Sequence, residues 1–115
     1  MKVLVTGSAG FIGSALSIRL LDRGDEVVGI DNHNDYYDPA LKEARLARHA
    51  DNPNYTHIRM NLEDREAMAK LFNDHQFAGV VNLAAQAGVR YSIENPLAYI
   101  DSNLVGFAQV LEGCR

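Results

Sequence analysis

Apolar residues in this chain come in short blocks, each followed by a stretch in which they recur at helical spacing. Val3, Leu4 and Val5 form the first block, and their unbroken run suits a strand buried on both faces of a parallel sheet. Ile12, Leu16 and Leu20 then repeat with Ala15 beside them up to Gly24, which predicts a helix over about 11–23. A second apolar strand at 26–30 follows too soon to be a hairpin partner, so a parallel pairing through a right-handed crossover is expected. Residues 31–39 are polar and aromatic and predict a loop. Asp38 and Pro39 supply a cap and a first helical position for a second helix through Ala50, with a thin apolar stripe.

Past the punctuation of Asp51, Asn52 and Pro53, residues 55–60 predict a third strand. Residues 63–73 predict a helix that turns Ala67, Met68, Leu71 and Phe72 to one side, with Met68 as core. Residues 79–85 predict a fourth strand ending in small residues, and 86–95 a loop. From Pro96 a last helix carries Ile100, Leu104, Phe107 and Leu111 on one apolar face. Four strand–helix units predict an α/β doubly wound parallel sheet of the Rossmann type, with strand order 3-2-1-4 and only part of the full sheet. Ending there leaves strand four as an edge that exposes Val80, Val81 and Leu83.

The junction of the first strand and helix carries the clearest chemistry. Gly7, Gly10 and Gly13 are spaced as a dinucleotide cradle: one for the turn, one where a pyrophosphate lies on the backbone, and one for helix–strand packing. The helix start adds unpaired N–H groups and a partial positive charge. Asp31, at the end of the second strand, stands where a carboxylate accepts hydrogen bonds from the adenosine ribose. No Arg follows it, so a 2′-phosphate would meet a negative charge without a partner, and NAD is expected over NADP. Lys42 is a candidate to reach back to the cofactor from the second helix, although basic residues there more often form a solvated face. Asn61 and Leu62, just past strand three, are placed for the adenine edge, and the small residues after strand four for the other side of the crevice.

With 115 residues the chain is one domain, residues 1–115, and short for a complete nucleotide-dependent enzyme. A net charge of −4 and the lack of a basic run argue against nucleic acid, and no apolar run is long enough for a signal peptide or a membrane span, so the cytoplasm is expected. Cys114 has no partner for an internal disulfide. His33, His49, His57 and His75 show no metal-ligand spacing and read as surface or loop residues, and Asp31, Asp35 and Asp38 lack the oxygen count of a cation loop, so no metal is expected.

The chain resembles the extended short-chain dehydrogenase/reductase family, and within it the UDP-glucuronate 4-epimerases. The motifs are Thr6–Gly13, Asp31–Pro39, Leu83–Ser92, Asn95-Pro96 and Ser102–Phe107, and the match extends over the whole chain. The resemblance implies NAD held by Gly7, Gly10, Phe11, Ile12, Gly13, Asp31, Asn32, Asn61, Leu62, Leu83, Ala84, Ala85 and Gln86, with Asn103 in support. It implies hydride transfer from C4 of a UDP-sugar, rotation of the 4-keto intermediate and hydride return. Arg90 is a candidate for substrate contact, or an ordinary surface ion pair. Asn61 stands where many relatives have Asp; its amide oxygen still accepts from the adenine amino group. The family's Tyr-x-x-x-Lys pair is missing, since no Tyr here has Lys four residues on, so no catalytic residue is assigned. Two alternatives stand: another sugar-nucleotide epimerase or 4,6-dehydratase, and a non-catalytic NAD-binding or self-associating module, with a homodimer expected through the last helix or the strand-four edge.

Overall fold

The computed structural model describes residues 1–32, 39–85 and 89–115, and of residues 39 and 89–91 the backbone alone. Two compact units are present, Met1–Met60 with Phe77–Leu83 and Asn61–Gln76 with Ala84–Arg115.

The first unit holds the sheet: β1 (Lys2–Thr6), β2 (Glu26–Asp31), β3 (Tyr55–Arg59) and β4 (Gly79–Asn82), all parallel in the order β3-β2-β1-β4. The 3-2-1-4 order is that of a doubly wound sheet, as the block pattern predicts. β1 and β2 lie at the centre, and Val3 to Thr6 and Val27 to Asp31 are all buried. Their unbroken apolar character follows, because a side chain leaving either face of these strands meets protein. At the edge, every residue of β4 is only half-buried. β4 stops at Asn82, three residues short of the expected end. Just past its end the Leu83 N–H is shared between the Thr6 Oγ1 at 2.9 Å and the Thr6 carbonyl at 3.3 Å.

Helix α1 (Phe11–Asp22) buries part of the stripe its large apolar residues suggest, with Leu20 in the core and Leu16 packed against it. Gly13, Ser14, Ser17, Leu20 and Leu21 face inward, while Ile12 is 66% exposed and Ala15 is exposed. Small residues bring the helix close to the strands, and the Ser17 hydroxyl is satisfied by the Gly13 carbonyl at 2.8 Å. Val3, Val5, Leu20, Leu21, Val27 and Tyr55 form the core, with Leu16, Leu46 and Val81 against it. Helix α2 (Pro39–Ala47) completes the unit. The proposed Asp38 cap lies outside the described residues.

His49 is buried, not a surface residue. Its ring meets Tyr55 edge-on, with centroids 4.5 Å apart, and neither ring nitrogen has a hydrogen-bond partner. Burial, helped by the Arg48 charge, holds its imidazole below the usual value of 6.5. The unfolded chain therefore binds this proton more tightly, and the stability linked to it is present above pH 6.5 and lost as pH falls through the folded-state value. His49→Phe, which keeps the edge-on contact, is expected to melt higher than the parent, with the gap widening from pH 7 to 5.5. Thermal melts across that range check this; a constant gap would remove the role given to His49.

In the second unit, α3 (Arg65–Asp74) begins two residues later than the pattern suggests because Asp64 caps it, accepting the Ala67 N–H at 3.1 Å. Met68 and Leu71 are its buried residues. Part of the expected 86–95 loop is helical, as α4 (Val89–Glu94). The last helix is not continuous: α5 (Pro96–Ile100), capped by Asn95, passes through a π-helical segment (Asp101–Val105) into α6 (Gly106–Cys114). Gly106 and Val110 are its buried residues, with Leu62 against Gly106. Leu97, Ile100, Leu104, Phe107 and Leu111, at alternating spacings of three and four, are 45–68% exposed.

Candidate cofactor site

The chain leaves β1 through Gly7, whose φ of 71° is a left-handed conformation that a side chain resists. The Gly7 and Ser8 N–H groups both bond the Ile30 carbonyl, at 2.8 and 3.2 Å, which pins the turn to the end of β2. Gly13 then approaches that turn so closely that a Cβ would lie on the Gly7 carbonyl oxygen and 2.8 Å from its carbon. At the mouth, Gly10 precedes the first helical residue with no side-chain cap, and no acidic residue occupies the first turn. The first-turn N–H groups thus form a positive, glycine-lined surface. Phe11 and Ile12 flank it, 77% and 66% exposed.

Asp31 brings the end of β2 to the same place. Its side chain is 3% exposed; one oxygen accepts the Ala9 N–H at 3.1 Å and the other the Lys42 ammonium at 2.8 Å. This corrects the charge reading: the carboxylate has a cationic partner, delivered by α2 instead of by the residue after it. Lys42, whose side chain is 13% exposed, belongs to the site and not to a solvated face. One turn on, the Arg45 guanidinium lies 5.6 Å from the centre of the Phe11 ring.

Under the turn lies a layer that the motif does not announce. Thr6 is fully buried and its hydroxyl bonds the Asn82 amide oxygen and takes the Leu83 N–H, tying the carboxyl ends of β1 and β4. The Tyr55 hydroxyl and Ser8 crowd Gly29, where a Cβ would fall 2.6 Å from the Ser8 Oγ, and Tyr55 also shares a 2.9 Å hydrogen bond with His57 Nδ1. Burial pushes the Tyr55 phenol above its usual value, with the Ser8 hydroxyl opposing and the Asp31 carboxylate adding to the rise. A phenol so placed stays protonated at neutral pH and supports the turn.

The first unit thus brings together Gly7, Gly10, Phe11, Ile12, Gly13, Asp31, Asn32 and Leu83 at the carboxyl ends of β1, β2 and β4. Asn61, Leu62, Ala84, Ala85 and Asn103 belong to the second unit. There Asn61 is exposed, the Leu62 side chain is core, Ala84 is half-buried, Ala85 is exposed and Asn103 sits half-buried in the π-helical segment. Gln86 and the side chain of Arg90 lie outside the described residues. Among the described residues no three His, Cys, Asp or Glu side chains could hold a metal, and no helix is long and apolar enough to cross a membrane.

The family model described as GDP-mannose 4,6 dehydratase matches residues 4–115. The chain belongs to this family. It is 54% identical over its whole length to Protein CapI of Staphylococcus aureus, spanning 34% of that protein. It is 50% identical over its whole length to UDP-glucuronate 4-epimerase 4 of Arabidopsis thaliana, spanning 26% of it. The UDP-glucuronic acid 4-epimerase of Bacillus cereus, solved in complex with UDP-glucuronic acid and NAD, superposes with a TM-score of 0.89 at 36% identity, over 99% of this chain and 36% of that one. The chain therefore spans between about a quarter and about a third of the length of these proteins. Their likeness bears out the partial Rossmann fold.

Proposed function

We propose that this chain is the NAD-binding portion of a sugar-nucleotide 4-epimerase, with UDP-glucuronate and UDP-galacturonate as the pair interconverted. The observation that carries the cofactor is the cradle: an uncapped helix start whose Gly13 has no room for a Cβ, beside a buried Asp31 fixed by the Ala9 N–H. These residues fit a dinucleotide, with the pyrophosphate on the first-turn N–H groups and the ribose hydroxyls at Asp31. Asn32 and Leu83 of the same unit add to the cofactor residues in this reading, while Asn61, Leu62, Ala84, Ala85, Gln86 and Asn103 for the cofactor, and Arg90 for the sugar nucleotide, are assigned by the family resemblance alone. The uronate pair rests on the similarity to the plant and bacterial UDP-glucuronate 4-epimerases.

The bound NAD supplies a hydride acceptor and donor. What this chain contributes is position: the glycine turn holds the dinucleotide's phosphates and Asp31 fixes the adenosine end, beside the exposed side chains of Phe11 and Ile12. No Tyr in the sequence has Lys four residues on, so none of these 115 residues is assigned to proton transfer. The chain is expected to bind one NAD and to form no UDP-galacturonate from UDP-glucuronate. Calorimetric titration and a coupled turnover assay check both halves; turnover by the pure chain would overturn the assignment.

A second reading, self-association, is favoured by the exposed row Leu97, Ile100, Leu104, Phe107 and Leu111, whose period near 3.5 is that of a helix-packing seam. Light scattering after size exclusion is expected to give a dimer mass, and a monodisperse monomer would argue against it.

A further inference from the structure

Asp31 and Lys42 form the least exposed of the ion pairs described in this chain, at 3% and 13%. They stand where the proposed function places the adenosine ribose, and the following inference rests on that reading. A lone carboxylate at this position selects against NADP by repelling the 2′-phosphate, a group of nearly two negative charges. Here the carboxylate is not alone, because the ammonium 2.8 Å from its Oδ1 cancels its net charge. Repulsion by Asp31 by itself is therefore an incomplete account of cofactor choice. The second cation of α2, Arg45, stands 5.6 Å from the centre of the Phe11 ring at the helix start.

We propose that Lys42 and Asp31 read the 2′ position of the adenosine ribose as one charge-balanced unit. While paired, Asp31 accepts from a ribose diol and Lys42 is spoken for. When Asp31 loses its charge, Lys42 becomes an uncompensated, largely buried cation beside the 2′ position, which is what a phosphate dianion needs. Lys42 is thus a specificity-determining residue whose action depends on its partner.

The test is a double-mutant cycle on the whole chain, read as Kd for NAD and NADP by calorimetry and by ligand-induced melting shifts. Asp31→Asn keeps the shape and an acceptor for the Ala9 N–H. It is expected to lower the ratio of Kd for NADP to Kd for NAD about tenfold, equivalent to about 1.4 kcal/mol. Lys42→Met alone is expected to raise that ratio. In the double variant the NADP gain of Asp31→Asn should disappear. An equal gain with and without Lys42 would overturn the proposal, as would an unchanged ratio in Lys42→Met. That second comparison also decides the matter if Asp31→Asn does not fold, which melts without ligand will show. Failure of the parent reading looks different: the unaltered chain would then respond to neither nucleotide, and the proposal would fall with it.

Discussion

Gly13→Ala is expected to lower the melting temperature by roughly 10 °C and to abolish any response to NAD. The added Cβ would lie on the Gly7 carbonyl oxygen, 2.8 Å from the Gly7 carbonyl carbon and 3.1 Å from the Ser8 Cα, all backbone that no rotamer change can move. The turn would have to open, yet it is pinned by the Gly7 and Ser8 N–H groups on the Ile30 carbonyl. Glycine to alanine inside a helix ordinarily gains about 1 kcal/mol. Overpacking against fixed backbone costs about 3 kcal/mol, so the net loss is about 2 kcal/mol or more, with each kilocalorie shifting a domain of this size by roughly 4 °C. Gly24→Ala is the contrasting control for space: no atom lies within 4 Å of its Cβ, so it is strained by its φ of 90° alone and leaves the cradle intact. Melts with and without NAD separate the two; a Gly13→Ala chain that melts and binds like the parent would show that the close approach is unimportant.

Asp31→Ala is expected to weaken NAD binding by roughly a hundredfold and to lower stability by about 2 kcal/mol. Two donors lose their acceptor at once, the Ala9 N–H and the Lys42 ammonium. Removing one member of a fully buried ion pair costs about 3–5 kcal/mol, but the Lys42 side chain is 13% exposed and extends to water, which reduces the penalty. The binding loss follows from two ribose hydroxyls deprived of a charged acceptor, at about 1.5 kcal/mol or more each. Calorimetry on the folded variant measures the first quantity and chemical denaturation the second. Full NAD affinity without the carboxylate would remove Asp31 from the site.

What was legible in the sequence is what backbone chemistry dictates. The strand order follows from apolar blocks alternating with helical spacing, and Gly7, Gly10, Gly13 and Asp31 are marked because few other residues fit those backbone positions or that charge. Side-chain partnerships across the fold were not legible. Lys42 reaches Asp31 because α2 returns over the end of β2, and the sequence offers only three basic residues on a thin helix. Tyr55 and Thr6 read as ordinary strand residues, yet the first sits beneath Gly29 and the second ties β1 to β4. In α1 the apolar spacing marks Leu16 and Leu20 for the core but not the small residues Gly13, Ser14 and Ser17, which face in so that the helix can come close and leave Ile12 exposed. His49 looked like a surface histidine for the same kind of reason, since its burial depends on Tyr55, six residues on and in a different element.

The central claim, that the first strand–turn–helix and Asp31 form an NAD cradle in this chain, is tested most directly by melting the pure protein with NAD and, separately, with NADP. Ligand that binds only the folded form adds RT ln(1 + L/Kd), about 2.7 kcal/mol at a hundredfold excess over Kd, or roughly 10 °C here. A cooperative melt raised by NAD and not by NADP is the expected result. A chain without a cooperative transition, or one whose transition ignores NAD, would contradict the claim.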